Sequence, residues 1–374
     1  MDIEQLMIKA DEGDIPSIIE AARRLREGDG VDRDPAKALG YLVRASDAGS
    51  VVASASAGYM YLVGEGDAVS IEKAGLHLQR AVDAGDTGAM CNMGYLLSET
   101  EPDASLAMFV RAAELGSVKA MKNLGTMYSM GQGVDIDKDR AVEWYTRASD
   151  AGDMDSTYVL ASMYRNGDGI PADKPKAAEL YRRLADAGES DAQYDLAFML
   201  DAGDGIPMDR VEAERYFRMS ADQGDTDACL CMGGILFERG EFKEAEGYFL
   251  DAAMNGEVKA EYNIGLMYAG DYLGAPDIGK AREWFEASAE KGFAYAQTML
   301  GTMELDAGKP KKAAEWFRKA AEQGEPTAMY NLGALGLSNQ IHQDYKESVE
   351  WLTRAAQGGV EQAYQILMQL NAQE

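Results

Sequence analysis

Pairs of glycines two apart, often with a carboxylate between them, are the first residues in this chain that could do chemistry. Gly131-Gln-Gly133 is one, and Gly28-Asp-Gly30, Gly64-Glu-Gly66, Gly167-Asp-Gly169 and Gly203-Asp-Gly205 repeat it. Such loops can wrap a phosphate, but a dinucleotide-binding loop needs a strand before it and a phosphate-facing helix start after it. Here a helical pattern comes before, and Asp168 and Asp204 would meet a phosphate with like charge. Calcium is the second chemistry to consider. An EF-hand places oxygen ligands at alternating positions and a glutamate at the twelfth, an order that neither Asp168–Asp173 nor Asp204–Asp209 supplies. Asp34, Asp137, Asp173 and Asp209 each stand a few residues ahead of a second helical run, where a carboxylate caps free backbone amides.

Histidine chemistry has only His77 and His342 to work with, and neither has a second ligand at a metal-like interval. No Gly-x-Ser-x-Gly elbow occurs. The residues therefore point to no catalytic group, no metal and no cofactor. A hydrolase with a site on the scaffold is the enzymatic alternative, and it would need a histidine or paired carboxylates converging in a pocket.

The positioning elements emerge from the repetition. A small-residue segment ends in glycine at Gly13, Gly49, Gly85, Gly116, Gly152, Gly188, Gly224, Gly256, Gly292, Gly324 and Gly359, at intervals of 31 to 36 residues. Ten units cover nearly the whole chain as one domain of residues 1–374, with half-units at 1–13 and 360–374. Each unit reads as two helices. In the unit closing at Gly152, Ala120, Leu124, Gly125, Met127 and Tyr128 share one side of the first helix. The Leu-Gly pair recurs as Ala57-Gly58, Met93-Gly94, Leu160-Ala161, Leu196-Ala197, Met232-Gly233, Ile264-Gly265, Leu300-Gly301 and Leu332-Gly333. The second helix carries a bulky pair seven and eight residues before the closing glycine, such as Trp144-Tyr145, Tyr216-Phe217 and Trp316-Phe317. Large knobs beside small holes allow stacked hairpins to build a core that no single unit could supply. His77 occupies the Trp144 slot of its own unit and reads as a packing variant.

The combined pattern, Ala-x-x-x-Leu-Gly-x-Met-Tyr-x-x-Gly-x-Gly-Val followed by Ala-x-x-Trp-Tyr-x-x-Ala-x-x-x-Gly, resembles the Sel-1-like repeat, a relative of the tetratricopeptide repeat. The likeness covers essentially residues 13 to 359. It implies an all-α fold, an α-α superhelix or solenoid of about ten antiparallel helix pairs, and an adaptor or scaffold role in protein complexes. Some secreted members pair two cysteines in each repeat. This chain, with Cys91, Cys229 and Cys231, does not follow that pattern.

Composition sets the class of partner. The chain has 64 acidic and 36 basic side chains, a formal net charge of -28, which repels nucleic acid and anionic lipid. No run approaches the roughly 20 apolar residues of a membrane span, and Met1–Glu12 has no secretory-leader pattern. The expected setting is cytoplasmic and the expected partner a protein or peptide, with basic segments favoured. A secreted effector binding a host protein through the same scaffold is the alternative reading. The contact surface is expected on the first helices, at positions two before, two after and five after the Leu-Gly leucine, lining a concave groove. These are Tyr59, Tyr95, Lys122, Tyr158, Arg165, Tyr194, Phe198, Tyr262 and Tyr330, joined by Asp201. Tyrosine offers broad contact area at little rotamer cost. The units closing at Gly116, Gly256 and Gly324 have shortened inter-helix loops, and residues 337–342 replace the usual glycine pair, from which a local change of curvature is expected.

Overall fold

The computed structural model describes residues 3–342 and 344–371. Those residues form helices joined by turns, with no strand among them. Contacts divide the chain into two compact units, Met1–Leu184 and Ala185–Glu374. The first holds α1 (Ile3–Asp11), α2 (Ile15–Glu27), α3 (Pro35–Asp47), α4 (Val51–Val63), α5 (Ile71–Asp83), α6 (Thr87–Leu97), α7 (Pro102–Glu114), α8 (Val118–Met130), α9 (Lys138–Asp150) and α10 (Met154–Asn166). The boundary falls inside α11 (Lys174–Ala187). The second holds α12 (Ser190–Ala202), α13 (Arg210–Ala221), α14 (Thr226–Arg239), α15 (Phe242–Met254), α16 (Val258–Ala269), α17 (Ile278–Glu290), α18 (Ala294–Asp306), α19 (Pro310–Glu322), α20 (Pro326–Leu337), α21 (Tyr345–Gln357) and α22 (Glu361–Asn371).

From α2 onward each even-numbered helix is the first of a hairpin and the next odd-numbered helix its second, so the fold is an α-α solenoid of antiparallel pairs. A lone second helix, α1, stands at the beginning of the described chain; Met1 and Asp2 lie outside the described residues. At the other end α22 is a lone first helix, with Ile366 and Leu367 packed inward and Met368 exposed.

Knob and hole meet as the periodicity requires. The second member of each bulky pair is the knob, as in Tyr145, Phe249, Phe285 and Phe317, and a Cβ built on the facing glycine of its hairpin would collide with its ring. Where the first member is tryptophan it lies at the edge of the core, whereas Tyr216 is buried beside Phe217. Trp144, Trp316 and Trp351 are half-buried, each under a cation on the next helical turn: Arg147, Lys319 and Arg354 stand 4.4, 4.2 and 4.5 Å from the ring centroids.

The glycine loops turn the chain and also stack repeat on repeat. Gly131 caps α8 with φ 73°, and Gly133 has φ 72°, values in which side chains bearing a Cβ are strained. At Gly66 a Cβ would stand 2.4 Å from the carbonyl oxygen of Pro35 in the preceding hairpin. In two of the loops the acidic residue between the glycines reaches the preceding hairpin. Glu65 pairs with Arg26 at 2.6 Å, and Asp168 with Lys138 at 2.8 Å. Cations already hold these carboxylates, so the loops bridge repeats. The expected caps are also in place: Asp34, Asp137 and Asp173 accept from the amides of Lys37, Arg140 and Lys176 at 2.9, 3.0 and 3.1 Å, and Asp209 accepts from Val211 and Glu212.

A third inter-repeat link comes from arginines five residues before the closing glycine. Arg44 donates to the carbonyl of Asp11 at 3.0 Å, Arg111 to that of Val82 at 3.4 Å and Arg183 to that of Ser149 at 3.4 Å. Each cation sits at the carbonyl end of the preceding second helix, where the helix dipole favours it. Among the described residues no helix is long and apolar enough to cross a membrane.

Candidate protein-interaction surface

The seven aromatics among the nine expected contact residues separate into two groups according to their place relative to the Leu-Gly leucine. Those two residues after it present their rings to solvent: Tyr59, Tyr95 and Phe198 are 40, 44 and 45% exposed. Those two residues before it, Tyr158, Tyr194, Tyr262 and Tyr330, are half-buried. Tyr158 meets the Tyr181 knob edge-on at 5.5 Å, and Tyr194 and Tyr262 tilt against Phe217 and Phe285 at 5.8 Å. Tyr262 also touches Phe293 and Tyr295 of the next hairpin at 5.4 and 6.2 Å. Lys122 pairs with Asp155, and Arg165 is half-buried. The packed tyrosines brace the hairpins, while Tyr59, Tyr95 and Phe198 keep exposed surface.

Cavities open at the shortened loops before α7 and α15 and beside residues 341–342. In the second unit, Phe198, Asp201, Arg210, Glu214, Phe217, Cys231, Gly234, Ile235, Glu238 and Arg239 surround a hollow of about 620 Å³. Its origin is in the sequence of α14. Gly234 stands two residues after Met232, where Phe198 stands one hairpin earlier, and a Cβ built on it would meet nothing within 4 Å. The loop after α14 is reduced to Gly240 and Glu241, so no glycine pair reaches over the gap. In the first unit a hollow of about 320 Å³ lies beside Ser98 and Pro102, at the short loop between α6 and α7. A third of about 540 Å³, beside Ile341 and His342, is flanked by Lys311, Glu315, Arg318, Lys319 and Glu322 of α19.

The hollow beside Phe198 has an aromatic floor and an ionic rim. Arg239 donates to Glu214 at 3.2 Å, Arg218 donates to it at 3.3 Å, and Arg210 lies 3.7 Å from Asp201. The Arg239 hydrogen bond is the main cause that holds the Glu214 carboxyl below its usual range. Glu238 is exposed on the rim, with no ion pair among the described residues. Three carboxylates against two guanidiniums leave the lining with an excess of negative charge. Burial pushes the Cys231 thiol up to about 11, so it is not a nucleophile near neutral pH.

Of the two histidines, His77 lines none of these hollows, whereas His342 borders the third together with Glu315 and Glu322. His77 is buried, stacked on Tyr61 with centroids 5.7 Å apart, and its Nδ1 is 2.8 Å from Ser46 Oγ, which in turn is 2.8 Å from Ser54 Oγ. This hydrogen-bonded core cluster is the packing variant expected of its slot. His342 is exposed.

Sequence reasoning named Phe198 and Asp201 but missed the rest of this hollow. The signal available was the doubled glycine, Gly233-Gly234, of which only the first glycine faces a knob.

Comparison with known proteins agrees with the architecture. The model of the Sel1 repeat matches residues 17–50, 52–86, 87–117, 118–153, 155–189, 190–225, 258–293, 294–325 and 326–360. The interval it passes over, 226–257, contains α14 and α15, and hence Gly234. A protective antigen of uropathogenic Escherichia coli with an SLR fold is similar at 31% identity and a TM-score of 0.77, over 97% of this chain and 81% of that one. A Sel1 repeat protein from Oxalobacter formigenes is similar at 29% identity and a TM-score of 0.66, over 79% of this chain and 90% of that one. Comparison with curated proteins returned no match.

Proposed function

The chain belongs to the Sel1 repeat family, and from that premise we propose that it is a non-catalytic interaction scaffold whose cavity beside Phe198 holds a segment of a partner protein. The observation that carries the reading is the pairing of exposed Phe198 with side-chain-free Gly234, which leaves a hollow in a helix-packed surface. Glycine inside a helix costs about 1 kcal/mol relative to alanine, so its presence at an uncrowded site favours a role in keeping space open. Aromatic anchors in partly desolvated hollows supply much of the energy of protein association. The excess of carboxylates on the rim and the net charge of -28 favour a segment that carries a basic side chain beside an apolar one.

A reducing, cytoplasmic setting suits the cysteines. Cys91, Cys229 and Cys231 are free and buried or half-buried, and burial raises all three thiols. The experiment is partner capture by the intact chain and by Phe198→Ala and Gly234→Trp variants, in which the folded variants lose the partner that the parent retains.

A further inference from the structure

The smaller hollow of the first unit differs in kind from the one beside Phe198. Tyr95, Ser98, Phe109, Asn123, Thr126 and Gln132 are among its walls, and no lining residue carries a formal charge, although 27% of the chain is charged. Its volume is about 320 Å³, at the small end for ligand sites. Tyr95 and Phe109 meet edge-on at 5.2 Å and supply an aromatic wall.

Three hydroxyls there have internal partners. Ser105 Oγ donates to the Gly94 carbonyl at 2.7 Å, Ser98 Oγ to that of Tyr95 at 2.8 Å, and Thr126 Oγ1 to that of Lys122 at 3.2 Å. Asn123 Nδ2 is shut away from solvent and has no hydrogen-bond partner among the described residues. A buried amide donor without a partner is costly. A half-turn about the terminal bond of the side chain exchanges its donor and acceptor, so this amide can meet either group of another amide.

We infer that this hollow receives one uncharged apolar side chain of an extended peptide, with the peptide's backbone amide bonded to the side-chain amide of Asn123. The inference rests on the scaffold reading above and adds a second anchor of different chemistry. A lysine or aspartate side chain would lose hydration there with no counter-ion in the wall. A peptide matches the site better than a hydrocarbon, because a hydrocarbon offers no group to bond the Asn123 amide.

The test uses the full chain labelled with ¹³C at the methionine methyls, since Met127 lines the hollow. The probes are the N-acetyl, N-methylamide derivatives of phenylalanine, leucine, lysine and aspartate. The phenylalanine and leucine probes shift the Met127 methyl with Kd on the order of 1 mM, and the charged probes bind at least about tenfold more weakly. Asn123→Leu weakens the phenylalanine probe by about tenfold without lowering Tm, because it removes an unpaired donor. Ser98→Trp, at the mouth, abolishes the shift and leaves Asn123 untouched. An unmoved Met127 methyl, equal binding of the lysine probe, or full binding by Asn123→Leu overturns the inference. A fall in Tm with Asn123→Leu assigns the amide to packing and also overturns it. None of these results bears on the Phe198 cavity, which lies in the other unit and is tested separately.

Discussion

A Cβ built on Gly301 would stand 2.5 Å from Cε1 of Phe317, closer than carbon atoms pack, so α18 approaches α19 only because position 301 has no side chain. The same relation joins Gly265 to Phe285 and Gly233 to Phe249, making this contact the unit of the fold. Forcing a methyl into it costs about 1–3 kcal/mol, and the gain in helix propensity from glycine to alanine returns about 1. Gly301→Ala should therefore destabilise the chain by about 1 kcal/mol in denaturant unfolding. In a Phe317→Ala background the clash is gone, and the same change should stabilise by about 1 kcal/mol. Equal effects in the two backgrounds would show that the ring does not set the requirement for glycine.

The second prediction concerns acid. Burial, with a smaller contribution from Arg80, lowers the pKa of His77 from its usual value near 6.5, so the folded chain holds this ring neutral. Above about pH 6.5 the ring is neutral in both folded and unfolded chains, and it adds no pH dependence. As pH falls below that value the unfolded chain takes up the proton first, and stability is lost until the folded pKa is reached. Comparing the parent with His77→Gln by urea unfolding between pH 7.5 and 5.5 should give a shallower decline in the variant. Parallel curves would remove His77 from the account.

Gly234 provides the third. It stands within α14 with open space where its Cβ would be, so Gly234→Ala should raise stability by about 1 kcal/mol. Gly247, in α15, has the same open surroundings and should give the same gain. The two should part in function: Gly247→Ala leaves partner affinity unchanged, while a bulky residue at 234 destroys it. Similar loss from Trp at either site would mean that the cavity has no special role.

Much of this architecture could be read from residue spacing. Eleven glycines at near-constant intervals, the Leu-Gly holes and the aspartate caps each have a local physical cause, and local causes leave periodic marks. The site was legible only in part. A helical wheel puts positions two before and two after the leucine at almost the same angle, so it cannot separate Tyr194 from Phe198. Contacts with the partner helix and with the next hairpin separate the two positions, as at Tyr262, which is held by Phe285 of its own hairpin and by Phe293 and Tyr295 of the next. The cavities were harder still because they arise from missing atoms. The departures from the glycine loop near residues 98–102, 238–242 and 337–342 suggested a change of curvature, and the structure places a hollow beside each.

The central claim is that a partner protein enters the hollow between Phe198 and Gly234, and site-specific photo-crosslinking measures it most directly. A benzoylphenylalanine placed at 198 should trap a discrete partner in the native source, whereas the same group at Met254, 78% exposed on α15, should not. Adding Gly234→Trp to the 198 probe should abolish that adduct while the circular dichroism and Tm of the chain are maintained. An adduct that forms equally from 254, or that persists with tryptophan filling the cavity, would contradict the account.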